Sequence, residues 1–349
     1  MDVAVRSHVV AHLPGDGIGP EVTAVARRLV DQSGQRHGFT VDWRACPLGA
    51  DYYLRTGDVF PDDVLADLRK TDAVLLGAVG SPAVPPGVLE RGLLLKLRFS
   101  LDLYANLRPA RLRPGVTGYG APGMDLVVVR ENTEGLYAGA GGITHKGAAF
   151  ETATEESLNT RAGVERCVRY AASLAAGRSG RLTLVHKTNV LINAGDLWHR
   201  VATEVAAEVG LTLDYCHVDA ACLHLVSDPG RFDVIVTDNL FGDIITDLVA
   251  ALTGGLGLAA SGNLNPDRTG PSVFEPVHGS APDIAGTGKA NPAGAVLSAA
   301  LMLDHLGESA AAAELDAAVD AVLAEGGRAT TGEWESALAD RLSGAGTTT

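Results

Sequence analysis

Asp243 and Asp247 stand four residues apart in the stretch FDVIVTDNLFGDIITDL, Phe232 to Leu248. On a helix that spacing puts both carboxylates on one face, about one turn apart. Two like charges so placed repel, and a hard divalent cation such as Mg2+ or Mn2+ reverses the sign of the interaction. Two solvated acids on an exposed face are the plain alternative. Arg98, Arg108 and Arg130 offer a second chemistry, because a guanidinium grips a carboxylate through two parallel hydrogen bonds. Arg130 closes the apolar run Leu126 to Val129, where an unpaired guanidinium is costly. Three arginines near a cation site suit a polycarboxylate ligand, although each alone reads as an ordinary surface arginine. Lys187 ends the apolar run LTLVH. It is either a solvated strand end or a base whose pKa is lowered by burial and cationic neighbours. Asp219 follows a further such run, where it either caps a helix or joins the acids. Glu275, His278, Asp283 and Asn291 share one loop dense in turn residues; a histidine there is more often a structural hydrogen bonder than an acid-base group.

These side chains need rigid elements under them. Val234 to Val236 is a short β-branched run, a buried strand, and the helix carrying Asp243 and Asp247 follows at its carboxyl end, pinned by Ile244, Ile245 and Leu248. In open α/β sheets, ligands bind at that end. Val3 to Leu13 reads as a strand, PGDGIGPE as a turn, and the segment to Gln32 as a helix with Val22, Val25, Ala26 and Leu29 on one face. Gly15, Gly17 and Gly19 lack the last glycine of the dinucleotide fingerprint, so a tight turn explains them equally well. Strands at Phe39 to Cys46 and Asp72 to Gly80 flank a helix at Pro61 to Lys70, which makes a β-α-β-α-β pattern and a parallel sheet. Leu93, Leu94 and Leu95 are three apolar residues in a row, more than one buried helix face accepts, so part of this surface is free to meet a substrate. Gly139 to Glu151 is glycine-rich, either a disordered loop or a protruding hairpin that pairs with a partner subunit. Helices are expected at Leu158 to Ala176, Ala293 to Leu306, Ser309 to Leu323 and Glu333 to Leu342, and strands at Leu182 to Leu191 and Leu211 to Val218. Gly254 to Gly262 reads as a bend.

The 349 residues suit about two domains, and 46% hydrophobic content fills a substantial core. A net charge of -14 argues against a nucleic-acid surface. The opening stretch MDVAVRSHVVAHLPGDG lacks a long apolar segment with a cleavage pattern, and charged residues break the alanine-rich stretches near 295 to 324. No signal peptide and no membrane span are expected. Cys46, Cys167, Cys216 and Cys222 lack CxxC spacing and read as scattered reduced thiols, which suits the cytoplasm.

Taken together, GDGIGPE (15–21), NLRPARL (106–112), RENTEGLY (130–137), HKTNV (186–190), the 232–248 stretch and FEPVHGSAPDIAGTGKANP (274–292) resemble the β-decarboxylating dehydrogenases, the isocitrate and isopropylmalate dehydrogenase family. The match runs from about Val9 to Leu306. The resemblance implies an α/β fold that is not Rossmann: two domains share a large mixed sheet flanked by helices. The first, cofactor-binding domain would comprise 1–103 and 254–349. The second, for dimerisation, metal and substrate, would comprise 104–253, with an arm near 136–152. It implies NAD as cofactor, with Mg2+ or Mn2+. Arg98, Arg108 and Arg130 would hold the malate carboxylates. Asp243 and Asp247, with Asp219 from a partner subunit, would bind the metal. Lys187, also from the partner subunit, would act with Asp219 in deprotonating the 2-hydroxyl, and Tyr137 would protonate the carbon left by CO2. The cofactor would meet Ile18, Asn189, Glu275, His278, Gly279, Ser280, Ala281, Asp283, Ile284 and Asn291. Asp283 near the adenosine ribose would accept hydrogen bonds from its hydroxyls and repel a 2'-phosphate.

GLLLKLR resembles the isopropylmalate branch, with Leu94 and Leu95 against the substrate's isopropyl group; a methyl-rich pocket offers a third carboxylate no partner. The implied reaction is oxidative decarboxylation of 3-isopropylmalate to 2-oxoisocaproate in leucine biosynthesis, by a homodimer sharing its active sites. RENTEGLYAG resembles instead the isocitrate, homoisocitrate and tartrate branches, and Lys96 either points outward or reaches an anionic substituent. The same chemistry on D-malate, tartrate, homoisocitrate or a phosphonomethyl malate is therefore the alternative. A non-catalytic regulatory subunit is the alternative of another class, and it should have lost positions that here still stand.

Overall fold

The computed structural model describes residues 5–344. Among the described residues twelve strands occur in chain order. They begin with β1 (Arg6–Gly15), β2 (Phe39–Ala45), β3 (Ala73–Ala78) and β4 (Ala105–Arg111). Next come β5 (Asp125–Glu131), β6 (Gly135–Thr144), β7 (Thr152–Leu158) and β8 (Arg181–His186). The last are β9 (Thr212–His217), β10 (Val234–Thr237), β11 (Ala260–Leu264) and β12 (Ser272–Pro276). The fold is α/β, with a large mixed sheet flanked by helices. The chain divides into two compact units. The first holds the residues up to Leu103, Leu112–Tyr119 and those from Thr253 onward; the second holds Tyr104–Arg111 and Gly120–Leu252.

In the first unit the strand order is β2-β1-β3-β12-β11, parallel except for the antiparallel β11–β12 pair. The expected β-α-β-α-β opening is present, with β1 parallel to both β2 and β3. The helix after β1 runs Gly19–His37, longer than its apolar pattern suggests, and ends where Gly38 adopts a left-handed φ of 75°. β3 is buried throughout, as its apolar run requires. The second crossover holds two short helices. Asp62–Leu68 is the expected one; Ala50–Thr56 buries only Ala50, so it carries no apolar stripe to read. Glu90–Leu95 is a π-helix that passes into an α-helix at Lys96–Ser100. Helices Ala293–His305, Ser309–Ala324 and Thr331–Leu342 complete the unit, the last started by a capping box of Thr330 and Glu333. The first two residues of the expected opening strand, Val3 and Ala4, lie outside the described residues.

In the second unit the order is β4-β5-β10-β8-β9, parallel except for β4 against β5. β10 sits centrally with all four residues buried, which accounts for its uninterrupted β-branched run. Helix Asn239–Leu252 turns Ile245, Val249 and Leu252 inward. The glycine-rich 139–151 segment is part of a hairpin, β6 paired antiparallel with β7. Helix Arg161–Ala176 starts later than its apolar pattern implies, because the Thr160 side chain accepts the Gly163 N–H as a cap and Leu158 belongs to β7.

Candidate active site

In the second unit the parallel strands end side by side. β5 delivers Arg130, β10 delivers Thr237 and then Asn239, β8 delivers Lys187 one residue beyond His186, and β9 leads into Asp219. The candidate residues thus converge at the carboxyl ends of the strands, where α/β sheets hold ligands.

Arg130 is 1% exposed, yet its guanidinium is not orphaned. Its Nε and Nη2 both donate to Asn239 Oδ1, at 3.0 and 2.8 Å, and its Nη1 donates to Asp243 Oδ1. Asn239 is itself aimed by its Nδ2, which donates to the Glu134 carbonyl at 3.0 Å. Tyr137 OH donates to Asp243 Oδ2 at 2.7 Å, and the Arg130 guanidinium lies 5.0 Å from the Tyr137 ring centroid. Gly242 makes this packing possible: a Cβ there would fall 2.4 Å from Arg130 Cγ. Burial opposes the charge on Asp243, but Arg130, Tyr137 and Arg108 together outweigh it and hold its carboxyl below its ordinary value. Burial and the Asp243 contact raise the Tyr137 phenol, so it is a protonated donor at neutral pH. Arg108 Nε donates to Asn106 Oδ1 at 2.9 Å.

Lys187 Nζ stands 2.7 Å from Asp219 Oδ1, and the lysine hydrogen bond is the main reason the Asp219 carboxyl lies below its ordinary value. The residue after Lys187 is braced as well. The Thr188 N–H donates to Tyr215 OH at 3.1 Å, and Tyr215 OH lies 2.8 Å from His217 Nδ1. Asp247 is exposed on the open side of helix Asn239–Leu252, one turn beyond Asp243. Among the described residues of one chain, no group of three His, Cys, Asp or Glu forms a metal cage. Asp243 and Asp247 lie one turn apart on their helix, and Asp219 pairs with Lys187.

Behind this row lies a buried group that the motif reading did not assign. His186 is fully buried, stacked on Trp198 and edge-on to Phe241, with Nε2 at 3.6 Å from Asp238 Oδ2. Burial lowers His186 to about 4, so the ring is neutral and the contact is not an ion pair. Asn239 was also missed as a site residue. Its only local sign is its place at the end of β10; its partner lies 109 positions away.

In the first unit, Ile18 and the loop after β12 come together. Ile18 N–H donates to the Ser280 carbonyl at 2.9 Å, and a Cβ on Gly17 would stand 1.9 Å from that same oxygen. Gly15 likewise abuts the Ala78 carbonyl, at 1.9 Å for a Cβ. Asp16 ties the turn down, accepting the Ala50 and Gly80 N–H groups at 2.7 and 2.9 Å. The GDGIG glycines thus serve close backbone packing, in line with the tight-turn reading. Glu275 accepts from Asn263 at 2.7 Å. Burial lowers His278; its Nδ1 meets the Gly279 carbonyl at 3.0 Å, while its buried Nε2 has no partner among the described residues. Ala281 takes a positive φ of 39°. Asp283 is exposed, Ile284 is half-buried, and Asn291 Oδ1 accepts the Ala293 N–H at 2.9 Å. Asn189 belongs to the second unit, exposed just beyond Lys187.

The leucine stretch is divided by the π-helix. Leu93 is fully buried in the core, whereas Leu94 and Leu95 are half-buried, as is Arg98. Lys96 is turned away: its Nζ donates to the Phe60 carbonyl at 2.7 Å and to Asp62 Oδ1 at 3.1 Å, and it lies 5.2 Å from the Phe60 ring centroid.

Known proteins match this arrangement along most of the chain. The isocitrate/isopropylmalate dehydrogenase family profile covers residues 9–338. A 3-isopropylmalate dehydrogenase of Thermobifida fusca is 58% identical over 91% of both chains. That of Nocardia farcinica is 56% identical over 96% of this chain and 99% of its own. Among solved structures, an isocitrate dehydrogenase from Methylococcus capsulatus superposes with a TM-score of 0.88 at 36% identity, covering 96% of this chain and 99% of its own. A β-decarboxylating dehydrogenase from Thermococcus kodakarensis gives 0.80 at 38% identity, over 97% and 96%. With its motifs in order, Arg130, Lys187 and Asp219 at or just beyond strand ends and its profile matched almost throughout, the chain belongs to the isocitrate/isopropylmalate dehydrogenase family of decarboxylating dehydrogenases.

Proposed function

We propose that the protein is an NAD-dependent, divalent-metal-dependent dehydrogenase that converts 3-isopropylmalate to 2-oxoisocaproate and CO2 in leucine biosynthesis. The observation that carries this reading is the Arg130–Asp243–Tyr137 cluster: a carboxylate-gripping cation, an ionised oxygen ligand and a protonated phenol in mutual contact. Arg98, Arg108 and Arg130 hold the two malate carboxylates. Asp243 and Asp247 suit Mg2+ or Mn2+, since both are hard oxygen donors and the Asp243 carboxyl is held ionised. Two acids per chain leave room for Asp219 of a second copy. Bound nicotinamide supplies the hydride acceptor, and the bound cation supplies Lewis-acid stabilisation of charge on the 2-oxygen. Lys187 and Asp219 of that second copy together would take up the 2-hydroxyl proton. Tyr137 returns a proton to C3 as the bond from C3 to its carboxylate breaks.

Substrate choice rests on the leucine stretch. Lys96 is held by Phe60 and Asp62, so beside Leu94 and Leu95 it does not offer its charge to a third substituent. The relatives named 3-isopropylmalate dehydrogenase point the same way. Exposed Asp283 in the loop after β12 favours NAD over NADP. Ile18, Glu275, His278 to Ala281, Asp283, Ile284 and Asn291 of the first unit, together with Asn189, would meet the nucleotide, while the metal ligands Asp219, Asp243 and Asp247 belong to the second.

The exposed apolar face of the second unit supports the homodimer in this reading. Leu223, Val226 and Ile244 are 65%, 54% and 52% exposed on two helices that pack together, and Val190 and Ile192 are 64% and 67% exposed beyond Lys187. A single chain would rarely leave such a face to water. Among the described residues no helix is long and apolar enough to cross a membrane, and all four cysteines are free. The reading places the enzyme in the cytoplasm.

The test is nicotinamide reduction with NAD or NADP, with Mg2+ or Mn2+, on 3-isopropylmalate, D-malate, tartrate, isocitrate, homoisocitrate and a phosphonomethyl malate. A higher kcat/KM for 3-isopropylmalate with NAD is expected. Preference for an anionic analogue would overturn the substrate assignment, and inactivity on the whole panel by folded, metal-loaded protein would overturn the catalytic one.

A further inference from the structure

The first unit carries a second cleft, at the opposite end of its strands. It has a volume of about 480 Å3 and is lined in part by His8, Arg69, Lys70, Asp72, Arg268 and His305. These residues lie at the amino ends of β1, β3 and β12, whereas the 15–19 turn and the 277–292 loop follow their carboxyl ends. The ten residues of β1 span about 30 Å, so a ligand here is out of reach of a nucleotide at the other end.

The charge of this cleft runs against that of the molecule. In a chain of net charge -14, the permanent cations Arg69, Lys70 and Arg268 line this cleft against one lining carboxylate, Asp72, while Lys70 Nζ also meets Asp67 Oδ1 at 2.8 Å. One oxygen of Asp72 is already engaged, accepting the Val9 N–H at 2.7 Å. Both arginines are fixed in the same manner. Arg69 Nη2 donates to the Ser100 carbonyl at 3.0 Å, and Arg268 Nη2 to the His305 carbonyl at 2.6 Å. Each contact fixes the guanidinium plane and leaves Nε and Nη1 without a protein partner among the described residues. Such forks match the paired oxygens of a carboxylate or phosphoryl group.

Arg268 is also held in an uncommon backbone state. Its φ is 54°, in the left-handed region where glycine or asparagine sits more easily. The turn that imposes this is rigid. Buried Asn265 donates from Nδ2 to the Leu101 carbonyl at 3.1 Å and to Thr269 Oγ1 at 2.9 Å, and its own N–H donates to Ser272 Oγ. A strained non-glycine residue maintained at a cleft mouth is the kind of outlier from which a function is argued.

We propose that this cleft is a binding site for a small dianionic oxyanion, a dicarboxylate or a phosphoryl group, gripped by Arg69, Arg268 and Lys70. The site is separate from the dehydrogenase chemistry and stands whether or not the substrate assignment above holds. The test is isothermal titration of the full-length protein with inorganic phosphate and, separately, with malonate, in chloride at matched ionic strength. The two arms distinguish a phosphoryl from a dicarboxylate ligand, and saturable binding in at least one is expected. The variants are Arg69→Gln with Arg268→Asn, asparagine being chosen because it accepts the left-handed backbone, and Lys70→Gln alone as a milder change. The double variant should weaken binding at least ~10-fold, as loss of charge-assisted hydrogen bonds requires. Both variants should keep basal dehydrogenase turnover. No saturable binding beyond that of chloride, or equal affinity in wild type and the variants, overturns the proposal. If the double variant does not fold, unchanged affinity in Lys70→Gln overturns it.

Discussion

Asp238→Asn should make the protein more stable at neutral pH and not at acid pH. Asp238 is 6% exposed at the end of β10, and burial pushes its carboxyl up from an ordinary 3.8 to about 6. Its Oδ1 accepts the Phe241 N–H at 2.8 Å, but no cation balances it fully: neighbouring His186 is neutral, and Glu131 opposes the effect of Arg130. A folded-state value raised above the unfolded one means that folding favours the protonated acid. The associated stability is fully present below the unfolded value and is lost as pH rises toward the folded one, here between about 4 and about 6. At 1.36 kcal/mol for each tenfold change in acidity, the loss is about 3 kcal/mol. Asparagine keeps the acceptor for Phe241 and carries no charge to desolvate. Urea unfolding of both proteins in parallel should therefore show similar stability near pH 4. The difference should grow to about 3 kcal/mol in favour of the variant near pH 7, with equal denaturant slopes. A difference that stays flat across this range, or a variant less stable at neutral pH, would refute the reasoning.

Further expectations follow from the same geometry. Asn239→Ala removes the acceptor of two Arg130 N–H groups, and kcat/KM should fall at least ~10-fold with the fold retained by circular dichroism. Gly17→Ala puts a Cβ against the Ser280 carbonyl at a φ of 58°; it should cost about 2 kcal/mol or more in urea unfolding and raise the KM for the nucleotide. Mn2+ should raise the Tm of the wild type and leave Asp243→Asn unmoved, because only binding to the folded state stabilises it. Leu223→Glu combined with Ile244→Glu places charges on the exposed apolar face; sedimentation should show monomers, and activity should fall with the dimer.

The parts of the fold that were legible in sequence were those with local signals. β3, β5 and β10 are apolar runs bounded by turn residues, and helix Gly19–His37 repeats its apolar residues at helical spacing. The π-helix was visible only as an excess of leucines; its packing is tertiary, with Val59 so near that a Cβ on Gly92 would stand 3.0 Å from it. β11, sequence ASGNL, has weak strand propensity and is specified by pairing with β12. In the candidate site, the acids at 243 and 247 and the arginine at 130 announced themselves by type and spacing. Asn239, Asp238 and His186 did not, since their importance lies in partners distant in sequence and in burial that no short window reveals.

The first unit is built from both ends of the chain, and this sets an order of events during synthesis. β3 pairs with β12 through Ala73 and Ser272, and between them the ribosome must make the whole of the second unit. At ~5–20 residues per second that interval lasts roughly 10–40 seconds. Throughout it, β3 has one edge unpaired and the apolar residues Val74, Leu75 and Leu76 incompletely covered. The second unit, uninterrupted from Gly120 to Leu252, has by then emerged with the pairings of β4 with β5, β5 with β10, β10 with β8, β8 with β9 and β6 with β7 available within itself. A nascent chain stalled just after Leu252 would therefore present a finished second unit tethered to an unfinished first one, with β3 as the surface that a holding chaperone would recognise.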